Sequence, residues 1–198
     1  MPRSAVRARH RLGPHRDPAV DEAVLAATRE LLVEAGYAGT TVDGIARRAG
    51  VSRPAIYRRW PSKALLVHEA VFPADAVELP QAASFADEVA RHVRATIAVF
   101  SSAAARAAIP GLIVEMRHDP VLRELLAARI EQEARRRFVE DVVARAVAAG
   151  EVRADLDADT VFDAITGAVL VATTVRDVDD LDRFADALTH VIVRGSIT

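Results

Sequence analysis

The chain has 198 residues, 51% of them hydrophobic and 5% aromatic, with a formal net charge of −2 at pH 7. It contains no cysteine, which excludes disulfide frameworks, thiolate metal sites and cysteine nucleophiles. No stretch approaches the roughly 18 consecutive apolar residues of a membrane span, and the basic N-terminus lacks the apolar core of a secretory signal, so we expect a helical cytoplasmic protein with no membrane partner.

The small net charge hides an asymmetry along the chain. Residues 1–63 carry 12 Lys or Arg and 6 Asp or Glu, a net charge of +6. Residues 64–198 carry 14 and 22, a net charge of −8. A basic N-terminal module joined to an acidic body is typical of a protein that binds nucleic acid through one of its parts.

Residues 1–16 contain five arginines and few side chains that a core could bury. We therefore expect a flexible basic arm. Two interpretations remain open for this arm. It either follows DNA phosphates or enters a minor groove, or it is only a solvated tail.

The first predicted helix begins after Asp17, which is an N-cap followed by Pro18 in the first turn. Gly36 ends it. Its apolar residues repeat at helical spacing and should brace the helices that follow; they are Val20, Val24, Ala27 and Leu31.

Two short helices joined by a tight turn are predicted next. Thr41 is the N-cap of a helix over residues 42–49, and Gly50 lies where the chain must reverse with positive φ. Ser52 caps the second helix, and Pro54 falls in its first turn, where a missing N–H loses little. This pattern is a helix-turn-helix. Its second helix presents outward Arg53, Pro54, Ala55, Tyr57 and Arg58.

The segment that follows completes a recognisable pattern. Gly-Val-Ser at 50–52, Ile56-Tyr57, the aromatic Trp60 and Ser62-Lys63 at the start of the next helix resemble the DNA-binding domain of TetR-family transcriptional regulators. The resemblance implies double-stranded DNA with an inverted repeat as the partner. It also implies that Thr41, Tyr57 and Lys63 bind phosphates. By the same resemblance, four residues of the second helix face base edges: Arg53, Pro54, Ala55 and Arg58.

Lys63 is the only lysine among 26 basic residues. A compact ammonium suits a point contact to phosphate, although chance placement is the alternative. The helix that begins at Lys63 should end before Pro73, and His68 within it is expected to be packed or exposed rather than a ligand. A proline-bounded connection over 73–83 should hold the domain boundary.

The body is predicted to be helical to its end. Ser84 with Asp87 caps a helix, which Ile109-Pro110-Gly111 breaks before a brief helix over 112–117. Asp119-Pro120 opens a helix that continues to Gly150. Its buried side is predicted to consist of Leu122, Leu126, Ile130, Ala134, Phe138, Val142 and Ala146, with a solvated face at Arg135, Arg136 and Arg137.

The last two predicted helices carry apolar stripes. Asp157 caps an almost wholly apolar helix over 161–175, and a final helix follows Asp179-Asp180. A body of about 120 residues has too few helices to hide both stripes, so we expect a homodimer through these two helices, as the resembling family forms. Burial within one monomer is the alternative.

Together these elements predict an all-α fold of about nine helices. It divides into a flexible arm (1–16), a three-helix helix-turn-helix DNA-binding domain with its connecting helix (17–72), and a helical ligand-binding and dimerisation domain (80–198). A mostly apolar pocket for a small lipophilic effector is expected in the body. Its candidate residues are His92, Thr96, Phe100, Met116, Phe138, Phe162 and Thr166, each of which is alternatively only core.

The function implied by the resemblance is a repressor that its effector releases from DNA by a shift between two conformations. Two other classes remain as alternatives. An enzyme housed in the body would need a phosphate-binding Gly loop, a metal-ligand spacing among the six His or a Ser/His/Asp arrangement, and none is visible. No cofactor or metal is therefore predicted. A nonspecific DNA-binding protein would show no preferred inverted repeat.

Overall fold

The computed structural model describes residues 17–72, 82–130 and 135–197; the predicted arm and most of the predicted connection lie outside these ranges. The described residues form an all-α fold without strands, as predicted. The helices are α1 (Pro18–Gly39), α2 (Val42–Ala49), α3 (Arg53–Tyr57), α4 (Lys63–Val71), α5 (Phe85–Phe100), α6 (Ala103–His118), α7 (Pro120–Ile130), α8 (Ala144–Ala148), α9 (Ala158–Leu170) and α10 (Leu181–Ser196). Two π-helical segments, Arg137–Val143 and Val171–Val175, lead into α8 and out of α9.

Helices α1 to α4, which we call the head, enclose a small core of their own. Its largest fully buried members are Ile45, Ile56 and Leu66. The predicted capping of α2 is confirmed, because Thr41 Oγ1 accepts the N–H of Gly44 at 3.1 Å. Gly50 ends α2 with φ of 69°, a left-handed conformation that glycine adopts without steric cost.

Two details of the head differ from the prediction. Ser52 precedes α3, but among the described residues its hydroxyl accepts no backbone N–H. The first helix extends to Gly39 rather than ending at Gly36, although Gly36 interrupts its regular geometry with φ of 67°. The Thr40 hydroxyl donates to the Gly36 carbonyl at 2.8 Å and closes this irregular turn.

The predicted break at Pro110 is wrong. Helix α5 is capped by Ser84 as expected, but it ends at Phe100, and α6 runs through Pro110 after a bend of 83°. The Ser102 hydroxyl accepts the N–H of Ala105 at 3.2 Å and so starts the new helix. Pro110 removes one intrahelical hydrogen bond, yet it lies on the exposed side while its neighbours Ile109 and Leu112 are buried.

The predicted single helix from Pro120 to Gly150 is only partly present. Asp119 caps α7 by accepting the N–H of Leu122 at 3.0 Å. Residues 131–134 lie outside the described ranges, and the side chains of Ile130 and Ala134 are not part of the description. The π-helical segment then buries Phe138 and Val143, which are five residues apart, so Val143 replaces the predicted Val142 in the core. The other predicted buried residues, Leu122, Leu126 and Ala146, are buried.

Arg135 does not belong to a solvated face, which corrects the prediction for that residue. Its guanidinium contacts Asp159 at 3.0 Å and Asp163 at 2.5 Å, both on α9. The same group lies over the Phe162 ring, 4.8 Å from the centroid. Periodicity could not reveal these partners, because they lie more than 20 residues away in sequence.

One apolar cluster spans the head and the body. Leu32, Leu65 and Val67 of α1 and α4 pack against residues of α6, the helix that lies across both. The α6 and α7 members of this junction cluster are Ala104, Ala105, Ala108, Ile109, Leu112, Leu122 and Leu126. The head is therefore packed directly on the body through two of its helices, not only through α4.

A second cluster forms the core of the body. It joins α5, the π-helical segment, α9 and α10, with Val89, Val93, Ile165 and Val169 at its centre. Helix α10 packs along α5 and contributes the half-buried stripe Leu181, Phe184, Leu188 and Ile192. Burial within one chain therefore accounts for much of the α10 stripe.

The sides of α9 and α10 that face away from the body core carry exposed apolar residues. Val171 and Val175 on the α9 side and Val191 on α10 are exposed. By length and composition, residues 158–175 are apolar enough to cross a membrane, but one side of this stretch packs into the body core. The exposed side is thus a surface without a cover within the described chain.

Two histidines, His68 and His92, are largely buried in the protein interior. The ring of His68 packs against Phe72 with centroids 5.1 Å apart. Burial and then the charge of Arg129 lower the pKa of His68 to about 4, against the opposing effect of Glu69. Burial also lowers the pKa of His92 to about 4 against the opposing effect of Glu88. Both side chains are therefore neutral in the folded protein near pH 7.

Acid should destabilise the protein through these two histidines. Below about pH 6.5 the unfolded chain binds protons at both positions, while the folded chain stays neutral down to about pH 4. We expect the free energy of unfolding to fall by roughly 3 kcal/mol for each of the two histidines as the pH falls through this window. Urea titrations at several pH values would measure it. In a His68→Leu, His92→Leu variant the free energy of unfolding should depend less on pH. An unchanged pH dependence would show that other groups cause it.

Candidate nucleic-acid interface

Helix α3 forms the exposed tip of the head. Ile56 anchors it in the head core, while the opposite side lines an open depression of about 450 Å³. The residues lining this depression are Arg53, Pro54, Tyr57 and Arg58. Four of the five residues predicted to point outward therefore share one surface, and Ala55 is half-buried beside it.

Arg53 is held from two sides. Its Nη1 lies 3.2 Å from Oδ1 and 3.3 Å from Oδ2 of Asp43, a residue in the first turn of α2. Its Cζ lies 5.5 Å from the centroid of the Tyr57 ring. The Tyr57 hydroxyl and then the Asp43 carboxylate raise the pKa of Arg53 above its ordinary value. Both contacts favour the charged form of this side chain and orient it at the start of α3.

Several other arginines of the head are neutralised by acids of α1. Arg48 donates to both carboxylate oxygens of Glu34, at 2.8 and 2.7 Å. Arg59 is paired with Asp21, and Arg29 with Glu22. By contrast, within the part of the chain that the structure describes, the exposed guanidinium of Arg58 has no ion-pair partner. Arg58 therefore adds to the α3 surface a positive charge that no described residue compensates, beside Arg53, which is paired with Asp43.

Thr41 lies exposed at the start of α2. Its hydroxyl oxygen already accepts the N–H of Gly44, which leaves the hydroxyl hydrogen free for donation. The group can therefore cap the helix and bind an external acceptor at the same time.

Lys63 lies at the junction between head and body. Its Nζ donates to the Tyr37 carbonyl at 3.1 Å and lies 3.9 Å from the centroid of the Tyr37 ring. Glu115 of α6 is 4.0 Å away. Burial, and then the Glu115 carboxylate, raise the pKa of the Tyr37 hydroxyl. A phosphate contact would require the ammonium to turn out of these contacts, and that role stays a prediction.

The predicted effector residues fall into two groups. The His92 ring lies between Phe138 and Phe162, with centroids 4.6 and 5.5 Å away, in the body core. Thr96 donates to the His92 carbonyl at 2.8 Å, and Thr166 is half-buried one turn beyond Phe162 on α9.

The rest of the predicted set lies nearer the head. Phe100 contacts both apolar clusters and lies 5.4 Å from the Phe72 ring. Met116 packs against the junction cluster, apart from His92. Phe72, which contacts Phe100, and His68, which contacts Phe72, were not among the predicted residues, because their sequence position assigns them to the head.

The described residues include no group of three or more His, Asp or Glu arranged to hold a metal ion. Asp43 is the residue of the interface that sequence reasoning missed. The available signal was an acid ten residues before Arg53, inside a segment with a net charge of +6.

Comparisons with known proteins agree over nearly the whole chain. Residues 24–70 match the family model of bacterial regulatory proteins, tetR family, and residues 79–192 match that of the tetracyclin repressor-like C-terminal domain. The uncharacterized HTH-type transcriptional regulator YdeS of Bacillus subtilis is 30% identical, over 92% of both chains.

Solved structures give the same result. The TetR family transcription regulator SCO0332 is 28% identical and superposes with a TM-score of 0.67, covering 90% of this chain and 99% of its own. FadR from Bacillus subtilis, in complex with stearoyl-CoA, shares the fold with a TM-score of 0.66 at 18% identity, covering 88% of this chain and 98% of its own.

Proposed function

Because the chain belongs to the TetR family of transcriptional regulators, which bind DNA as repressors and are not enzymes, we propose that it represses transcription from an inverted-repeat operator and is released by a small lipophilic effector. The observation that carries this proposal is the cationic surface of α3, where Arg53 and Arg58 lie beside Tyr57. A short exposed helix with two arginines fits the major groove, where arginine binds guanine through two hydrogen bonds.

The contacts in this proposal follow the predicted roles. Thr41, Tyr57 and Lys63 bind phosphates and fix the register. The base edges are read from the α3 surface by Arg53, Pro54, Ala55 and Arg58. Ala55 is half-buried, so its share is limited to close apolar contact.

Regulators of this family commonly act as dimers. In the proposed dimer, the exposed sides of α9 and α10 pack against their copies around a twofold axis. Gly167 on this side of α9 has no neighbouring atom within 4 Å of the position that a Cβ would occupy, so a partner helix can approach closely. Two heads held in this way would enter successive major grooves about 34–36 Å apart.

The effector is proposed to bind among the aromatic residues of the body. His92 Nε2 is buried and has no hydrogen-bond partner among the described residues, so a ligand with an apolar frame and one polar group would satisfy it. Phe100 connects this region to the junction cluster, through which a ligand-induced shift of α6 would reach α1 and α4. The stearoyl-CoA bound to FadR is consistent with a lipophilic effector.

Selection from random DNA by the purified protein tests the DNA-binding part. We expect an inverted repeat whose half-sites are centred about one helical turn apart. Enrichment of no sequence would favour a nonspecific DNA-binding protein instead. Gel-shift titration with candidate lipophilic compounds then tests release; DNA affinity that no compound changes would count against the effector.

Variants of the head extend the same test. Changing Tyr57 and Lys63 together to alanine should weaken binding to the selected site by at least about tenfold and lower its salt dependence, because two phosphate contacts are removed. Arg106→Ala is the matched control, since this arginine of α6 pairs with Asp177 of the body and does not belong to the α3 surface. Equal affinity of the double variant and the control would contradict the proposed contacts.

A further inference from the structure

Asp43 lies where a carboxylate opposes DNA binding. It is exposed in the first turn of α2, next to Thr41 and within contact distance of Arg53 on α3. A negative charge at this position repels phosphates and should lower the affinity for any DNA. We infer that Asp43 is a positioning residue that orients Arg53 to read one base pair of each half-site, an inference that rests on the proposed function.

Two contacts orient the guanidinium of Arg53. Asp43 holds Nη1 from α2, and the Tyr57 ring lies under the guanidinium from the end of α3. An arginine has five N–H donors, so one donor given to Asp43 leaves a free edge for the O6 and N7 atoms of guanine. An arginine that is oriented before binding loses less rotamer entropy on contact with the base than an unrestrained one.

Arg58 provides the internal comparison. It lies on the same surface, but the described residues hold no ion pair to its side chain. Arg58 is therefore suited to contacts that tolerate several geometries, such as phosphates or alternative bases. Arg53 is suited to a contact with a single geometry.

Helix stabilisation is the competing role for Asp43, because an acid in the first turn interacts favourably with the helix dipole. The Asp43 and Arg53 side chains are 65% and 55% exposed, and an ion pair this exposed contributes little to stability. The two roles predict different results. Loss of a stabilising residue weakens binding to all DNA sequences equally, whereas loss of a positioning residue changes the discrimination between them.

The test uses the full-length protein and the duplex that the wild type selects. Affinities are measured for that duplex, for duplexes with each half-site position substituted symmetrically, and for a random duplex. For the wild type we expect a substitution at one guanine to cost about tenfold or more. Asp43→Asn should reduce this discrimination to about threefold or less while binding the random duplex at least as tightly as the wild type does.

Two further variants make the result decisive. Arg53→Lys should lose discrimination at the same position, and adding Asp43→Asn to it should change discrimination no further, since both act through one contact. Glu34→Gln is the control, because Glu34 holds Arg48 in a similar pair on another side of the head. Its discrimination should match the wild type.

Some outcomes would overturn the inference alone. These are an Asp43→Asn variant with full discrimination at every position, or one that loses affinity equally for all duplexes. If the wild type itself selected no sequence, the proposed function would fail first.

Discussion

Changing Val171 and Val191 to aspartate should produce a monomer that binds the operator at least about 100-fold more weakly than the wild type. These valines are 44% and 65% exposed; Val171 begins the π-helical segment that continues α9, and Val191 lies on the uncovered side of α10. In the proposed dimer they are buried against their copies, where unpaired carboxylates are costly. Loss of the dimer removes the tether between heads, so each head binds its half-site alone.

Analytical ultracentrifugation at micromolar concentration would measure the association, and gel shifts would measure the affinity. Val121→Asp is the control, since Val121 is 66% exposed in the first turn of α7, where an added acid is favourable. That variant should dimerise and bind as the wild type does. A double aspartate variant that remained dimeric would show that the dimer contact lies elsewhere. A monomeric variant with full operator affinity would show that dimerisation does not contribute to DNA binding.

Gly111→Ala should destabilise the protein by about 3 kcal/mol, although it adds only one methyl group. A Cβ at Gly111 would lie 2.2 Å from Cδ1, 2.3 Å from Cγ and 2.7 Å from Cβ of Tyr37. The whole Tyr37 side chain must therefore move, and it cannot do so freely because it is buried beside Lys63. The cost falls on the junction between head and body, so DNA binding should weaken as well.

Thermal and urea denaturation at one fixed protein concentration would measure this effect. Gly195→Ala is the matched control: it lies in α10 with no atom within 4 Å of an added Cβ, so alanine should stabilise by up to about 1 kcal/mol. Tyr37→Leu should reduce the effect of Gly111→Ala, because the clash is with the ring. Equal stability of the two glycine variants would show that Tyr37 does not pack on α6 as described.

The parts of the fold that were predictable from sequence are those that local chemistry decides. Thr41, Ser84 and Asp157 cap the helices they precede, because a side-chain oxygen close in sequence satisfies the free N–H groups. Gly50 adopts positive φ for an equally local reason. The exposed residues of α3 follow from Ile56, whose burial orients the short helix.

What could not be predicted depends on contacts between distant residues. The chain turns at Ser101-Ser102 instead of breaking at Pro110, and the buried side of α6 packs against α1, α4 and α7. Arg135 turns inward to acids of α9, and Lys63 turns towards Tyr37 and Glu115. Spacing along the chain carries no information on such partners, so the orientation of Lys63 and the role of Asp43 required the three-dimensional arrangement.

The junction cluster has a consequence for exchanging specificity between relatives. Leu32, Leu65 and Val67 are covered by α6. A head that was truncated after residue 72 would therefore expose an apolar surface patch to solvent. A chimera that grafts only residues 17–72 onto another regulator would meet a foreign α6 surface at this patch. The smallest segment that could transfer the DNA specificity of this protein to another regulator therefore includes α6. The DNA specificity cannot be exchanged without part of the body.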